Sequence, residues 1–138
     1  MNKFDLVEDA IEDILKGKMV IVADDESREN EGDFVCAAEM VTPEIISFMI
    51  NHDRGLVCAP ITDQRARELE LPLMLEKNTE DTGCSFLVSV DADPAFCVTT
   101  GISAQDRATT IRLLLDEERR PADFRRPGHV FPLRARDG

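Results

Sequence analysis

No apolar run in this chain is longer than a strand. MVIVA (19–23), FVCAA (34–38), GLVCAPI (55–61), SFLVSVDA (85–92) and HVFPLRA (129–135) are each short, and polar loops or helix-patterned sequence separate them. A membrane-spanning helix needs about 18–20 consecutive apolar residues, so none is expected. Between the runs, Val7, Ala10, Ile11, Ile14 and Leu15 follow helical spacing, with Gly17 suited to the end of the helix. Thr42-Pro43 pairs an N-cap with proline at the first helical position and opens a helix to about Asn51. A short helix is expected in TDQRARELEL. Another follows Ser103, where Asp106 three residues on takes the place of Glu in a capping box and Ile111, Leu114 and Leu115 form the apolar face. Helices and strands mix, so the expected class is α/β (α+β), a mixed sheet with flanking helices. At 138 residues the chain is one domain's worth.

The MVIVA run is expected to be a buried strand, and it ends abruptly in DDESRENEGDF. Six of the ten residues from Asp24 to Asp33 are acidic, and only Arg28 offsets them. If residues 28–33 run extended, Glu29, Glu31 and Asp33 share one face. Three carboxylates so placed repel one another unless a cation sits among them. Oxygen ligands then favour Mg²⁺ or Mn²⁺ over zinc. A solvated acidic turn is the alternative reading. An EF-hand loop fails, because aligning Gly32 as its glycine puts Ala38 where a bidentate Glu is required.

TTGIS (99–103) places Thr99, Thr100 and Gly101 beside the free N–H groups of the next helix, which suits a phosphate as well as it suits a plain helix cap. Arg107 and Arg112 could add charge there. The chain has only two histidines, which excludes a multi-histidine metal site within it. His129, in RRPGHVFPLRAR, is a candidate general acid or base. His52, late in a helix, reads as a partner of the helix dipole. Neither a P-loop nor a G-x-G-x-x-G is present.

The net charge of −12 argues against nucleic acid as a partner. Six arginines between Arg119 and Arg136 could still form a local cationic pocket for a small anion. Cys36, Cys58, Cys84 and Cys97 show no metal-binding spacing and are expected to be reduced and mostly buried. The amphipathic N-terminus lacks the pattern of a signal peptide, and a cytoplasmic protein is the default expectation.

DDESRENEGDF, TTGISAQDRATTIR and RPGHVFPLRARDG together closely resemble the 3,4-dihydroxy-2-butanone 4-phosphate synthase family of riboflavin biosynthesis. GLVCAPIT, LPLMLEKNT and SFLVSVDA fit the same family in the same order. The resemblance implies conversion of ribulose 5-phosphate to 3,4-dihydroxy-2-butanone 4-phosphate and formate, with two Mg²⁺ (or Mn²⁺) per site and a homodimeric assembly. Carried over by position, it makes Glu29 a metal ligand that also meets the substrate, and Arg28, Asp33 and Thr100 substrate contacts. Glu31, Asp33, Cys58 and His129 become catalytic-site residues, with Asp24 and Asp25 in the same loop.

The resemblance also implies a departure. In the family, RPGHVFPLRA is followed by a G-H-T-E-A segment bearing a histidine metal ligand, and then by a catalytic glutamate. Residues 1–138 are therefore expected to be a single synthase domain, C-terminally incomplete, with apolar surface left uncovered. DTGCSF replaces a His/Gly-Thr-containing loop. A short non-catalytic sugar-phosphate or metal-binding homologue, or an inactive dimer partner, is the alternative.

Overall fold

A computed structural model describes residues 4–27, 29–79 and 82–136. The amphipathic pattern at the N-terminus forms α1 (Val7–Leu15). It leads into β1 (Val20–Ala23), which pairs antiparallel with β2 (Gly32–Val35) in the register Val20↔Val35 to Ala23↔Gly32. The hairpin forms a sheet by itself. Contrary to expectation β1 is not buried: Ile21 and Val22 are 68% and 53% exposed. The second strand also begins and ends earlier than FVCAA implies, because Ala38–Met40 turns into a short 3-10 segment.

α2 (Pro43–His52) starts as its sequence dictates, with Thr42 Oγ1 accepting the Ile45 N–H at 3.3 Å and Pro43 in the first turn. β3 (Cys58–Ile61) follows, then α3 (Asp63–Glu68), capped by Thr62 Oγ1 on the Arg65 N–H. Of SFLVSVDA, only β4 (Val90–Ala92) is a continuous strand, while Phe86 and Leu87 make isolated bridges to Leu133 and Leu73. α4 (Ala104–Leu115) is capped by Ser103, and β5 (Phe124–Arg134) closes the described chain.

β5 is the centre of the second sheet, whose order is β3-β5-β4. It runs parallel to β3 and antiparallel to β4, so the sheet is mixed, as expected. Pro127 and Pro132 cannot donate ladder hydrogen bonds, yet both lie in this central strand. Pro127 lies in a bulge: the register moves from Asp91↔Arg125 to Val90↔Val130, leaving residues 126–129 unmatched by any β4 residue.

The core lies between this sheet, α2 and α4. Ile46, Leu69, Leu87, Val90, Leu114 and Val130 are almost wholly buried, each contributing about 1.5–3 kcal/mol relative to exposure. α4 is pinned to the sheet by a polar contact as well, since Thr110 Oγ1 accepts the Ala92 N–H at 2.9 Å. By contrast, no residue of α1 is buried. Val7, Ile11 and Leu15 are more than half exposed, so its apolar stripe is uncovered by the described residues.

Candidate active site

The acidic hairpin tip is built around one carboxylate. Asp24 accepts the N–H of Glu29 at 3.0 Å and that of Glu31 at 2.8 Å, and its own N–H donates to the Glu31 carbonyl. Asn30 adopts a left-handed conformation (φ 51°) inside this loop. Residues 29–33 therefore do not run extended throughout, and the alternation that would put Glu29, Glu31 and Asp33 on one face is broken before β2 begins at Gly32. Arg28 lies outside the described residues. Asp25 accepts from the Ser27 hydroxyl and N–H, which hold its carboxyl below the usual range. Glu29 and Glu31 are exposed. Among the described residues no group of three or more His, Cys, Asp and Glu side chains is placed to hold a metal ion.

Asp33 lies on β2 and Cys58 on β3. Both line an apolar cavity of about 320 Å³ together with Cys36, Met49, Leu56 and Leu133. Burial, then the neighbouring Cys84, then the Asp33 charge push the Cys58 thiol up to about 11, so it stays a neutral thiol at physiological pH. Burial raises Cys36 as well. Cys97 departs from expectation: it is exposed, at a left-handed position (φ 61°) after a 3-10 turn.

His129 is oriented by a residue that the motifs did not single out. Asp91, 7% exposed on β4, accepts the His129 N–H through Oδ1 at 2.8 Å and meets the imidazole Nδ1 through Oδ2 at 2.8 Å. A carboxylate at Nδ1 makes that nitrogen the donor and leaves Nε2 to exchange a proton with a substrate. The β5 bulge makes this pairing possible. Gly128 lies so close to β4 that an added Cβ would fall on the backbone of Val90 and Asp91, and its N–H donates to Ser89 Oγ at 3.1 Å. Exposure alternates from His129 to Leu133, placing His129 and Phe131 on one face. Phe131 is the register partner of Cys58. β5 thus links His129 to the Cys58–Asp33 cluster.

The TTG turn carries its own anion. Asp106 Oδ2 accepts Thr99 Oγ1 at 2.7 Å and the Gly101 N–H at 3.0 Å. Burial opposes its ionisation, but these donors, with Ser103, hold its carboxyl below the usual value. Ser103 Oγ caps the Asp106 N–H at 3.0 Å, which is one half of the expected capping box. The other half is redirected, because the Asp106 side chain binds Thr99 and Gly101. A phosphate therefore cannot use the Gly101 N–H without displacing Asp106. Thr100 remains exposed at the turn. On its other side, Gly101 (φ 89°) packs so tightly on Asp91 that a Cβ would enter that carboxylate.

His52 does end a helix, with Nδ1 2.9 Å from the Phe48 carbonyl oxygen and its ring stacked on Phe48. The arginines of the last segment form no ready-made anion pocket, since each has an acceptor in the chain. Arg119 pairs with Asp116, Arg125 with Asp93 and Arg134 with Asp63. Arg120, Arg126 and Arg136 donate to the carbonyls of Glu117, Leu69 and Gly83.

These clusters fall in the segments where the sequence resembles a known family, and comparison with known proteins decides the point. The family profile for 3,4-dihydroxy-2-butanone 4-phosphate synthase matches residues 8–138. The chain belongs to this family. It is 57% identical over 136 residues to the riboflavin biosynthesis protein RibBA of Aquifex aeolicus, covering 99% of this chain and 34% of that protein. It is 57% identical to the 3,4-dihydroxy-2-butanone 4-phosphate synthase of Agrobacterium fabrum, covering 94% and 60%. A crystal structure of 3,4-dihydroxy-2-butanone 4-phosphate synthase in complex with two magnesium ions matches with a TM-score of 0.91 at 50% identity, covering 98% of this chain and 62% of that one. The chain thus spans about a third of the RibBA relative and less than two thirds of the synthase relatives.

Within the synthase family frame, Asp91 is the residue that sequence reasoning missed. In SFLVSVDA it alternates with Val90 and Ala92 and shares a face with Ser89, a pattern that reads as solvent-facing, and the packing of β4 on β5 is what buries it.

Proposed function

We propose that this chain carries the sugar-phosphate site of a 3,4-dihydroxy-2-butanone 4-phosphate synthase. Its substrate is ribulose 5-phosphate, and its reaction yields 3,4-dihydroxy-2-butanone 4-phosphate and formate in riboflavin biosynthesis. The observation that carries this reading is the Asp91–His129 pair packed against the Thr100 turn. The reaction begins by removing a proton next to a ketone, which needs a base held in one tautomer beside a polar turn. His129 supplies that base at Nε2 while Asp91 retains the Nδ1 proton. Thr100 contacts the substrate, and Cys58 lines the site as a neutral thiol. Asp33 and Glu31 are carboxylates available for the later proton transfers, with Arg28 and Glu29 as substrate contacts. The two products together contain all the atoms of the substrate, so no redox partner is required.

A divalent metal, Mg²⁺ or Mn²⁺, two per site, belongs to this reading, and when bound it polarises substrate oxygens. Glu29 is the candidate ligand. The described residues supply no complete ligand set around it, so they do not fit two metals unaided. That observation favours, as a second reading for these 138 residues alone, a binding module that holds the sugar phosphate without turnover. A homodimer is proposed too, supported by the uncovered apolar stripe of α1 and the exposed Ile21 and Val22. A cytoplasmic location also belongs to the proposal; no helix among the described residues is long and apolar enough to cross a membrane.

The test is to incubate the purified chain with ribulose 5-phosphate and Mg²⁺, following formate by NMR and the resonances of His129 and Thr100. The synthase site predicts that ribulose 5-phosphate shifts both residues and that His129→Ala abolishes the response at Thr100. Formate that disappears in Glu29→Ala would assign turnover to these 138 residues. Saturable binding without formate would assign the binding module. No response at either residue would overturn the reading.

A further inference from the structure

Asp106 is 2% exposed at the start of α4, and among the described hydrogen bonds its side chain makes none to Thr100 or His129, the residues proposed to meet the substrate. Its hydrogen bonds nevertheless lead to both. Oδ2 takes the hydroxyl of Thr99 and the N–H of Gly101, the two neighbours of Thr100. This fixes the backbone on each side of Thr100 to a helix that Thr110 already ties to β4. Gly101, so held, rests on the carboxylate of Asp91. Asp91 in turn holds His129 by its N–H and by its Nδ1. An unbroken series of contacts, Asp106–Gly101–Asp91–His129, therefore joins the helix terminus to the imidazole.

We propose that Asp106 is a positioning residue that sets the Thr100 turn and the Asp91–His129 pair together, so that the two cannot move independently. The capping duty at this terminus is performed by Ser103 Oγ on the Asp106 backbone N–H, and the Asp106 side chain, which Ser103 also supports, reaches on to the turn. The left-handed conformation of Gly101 has the same logic. A side chain there would enter Asp91 and could not adopt φ 89° without strain, so the contact between turn and pair requires glycine. The inference rests on the proposed function in that Thr100 and His129 are taken to meet the substrate.

The experiment needs no substrate. With only two histidines in the chain, the imidazole resonances of His129 are readily separated from those of His52 in the ¹⁵N-labelled protein. In the wild type the Nδ1 proton of His129, bonded to Asp91 at 2.8 Å, is expected to be protected from solvent exchange. Asp106→Ala is expected to abolish that protection and to shift the amide signals of Thr100 and Gly101. Asp106→Asn keeps an oxygen for Thr99 and Gly101 and is expected to retain most of the protection. Ser103→Ala removes the N–H cap and one donor to Asp106 but keeps the Thr99 and Gly101 bonds, and is expected to leave most of the His129 protection in place. Thr99→Val, a milder change, is expected to give partial loss and replaces Asp106→Ala if that variant fails to fold. Unchanged His129 signals in Asp106→Ala, or in Thr99→Val where that stands in, would overturn the proposal. So would an equal loss in Ser103→Ala, which would mean general softening of the helix end. Because the readout is independent of turnover, failure of the synthase reading and failure of this inference are separable.

Discussion

Asp106 also makes a pH-dependent contribution whose sign follows from its environment. Desolvation works against its charge, yet the donors from Thr99, Gly101 and Ser103 prevail and lower its pKa from the ordinary 3.8. Well above that value the carboxylate is ionised whether the chain is folded or unfolded, and its hydrogen bonds stabilise the fold in full. As the pH drops below it, the unfolded chain takes up the proton first, and the contribution is lost as the pH passes through the lowered folded value. Hydrogen bonds to a charged acceptor are worth about 1.5–3 kcal/mol, against about 0.5–1.5 for neutral ones. Asp106→Asn should therefore cost roughly 1 kcal/mol at neutral pH, with the gap closing on acidification below about pH 4. Melting temperatures of the two proteins between pH 7 and 3 measure this. A gap that stayed constant would show that the charge contributes nothing.

Among the elements, the bulge in β5 has the greatest leverage on the site, and it depends on Gly128. The Cβ of an alanine there would meet the backbone of Val90 and Asp91, which cannot swing aside as a flexible side chain can. Gly128→Ala should thus cost about 1–3 kcal/mol, as overpacking does, and it should part His129 from Asp91. Gly55→Ala, where only the Asp53 carboxylate lies within contact distance, is the matched control and should be near neutral. Urea denaturation of both variants checks the difference, and equal midpoints would mean that the bulge yields freely. This element also shows where sequence reading works and where it stops. Thr42 and Ser103 were legible as caps because a cap is a contact three residues long. The pairing of Asp91 with His129 spans 38 residues and exists only through a register shift between two strands. The acidic loop misled for a related reason: alternation assumes an extended backbone, and the Asp24 carboxylate folds the chain before Gly32.

For the whole molecule, the open question is how 138 residues with a net charge of −12 treat a divalent cation. Two kinds of binding must be told apart. The overall charge gathers Mg²⁺ or Mn²⁺ diffusely, and that attraction weakens as salt shortens the Debye length to about 8 Å at physiological ionic strength. A coordinated ion is held by named oxygens and survives such screening. The hairpin tip offers Glu29 and Glu31 in solvent, while Asp24 and Asp25 are occupied by backbone N–H groups and Ser27. Mg²⁺ demands near-octahedral coordination and keeps its water unless several oxygens replace it. Two exposed carboxylates on a solvent-facing loop do not meet that demand. Titration with Mn²⁺ in about 0.15 M salt is therefore expected to broaden NMR signals around the hairpin tip without saturating, and Glu29→Ala should weaken the broadening without removing it. Tight, saturable binding in salt would contradict the geometry described here, because it would require a complete ligand set assembled within these 138 residues. If that binding were also lost in His129→Ala, the imidazole would be a ligand, and the role of base assigned to its Nε2 would have to be withdrawn.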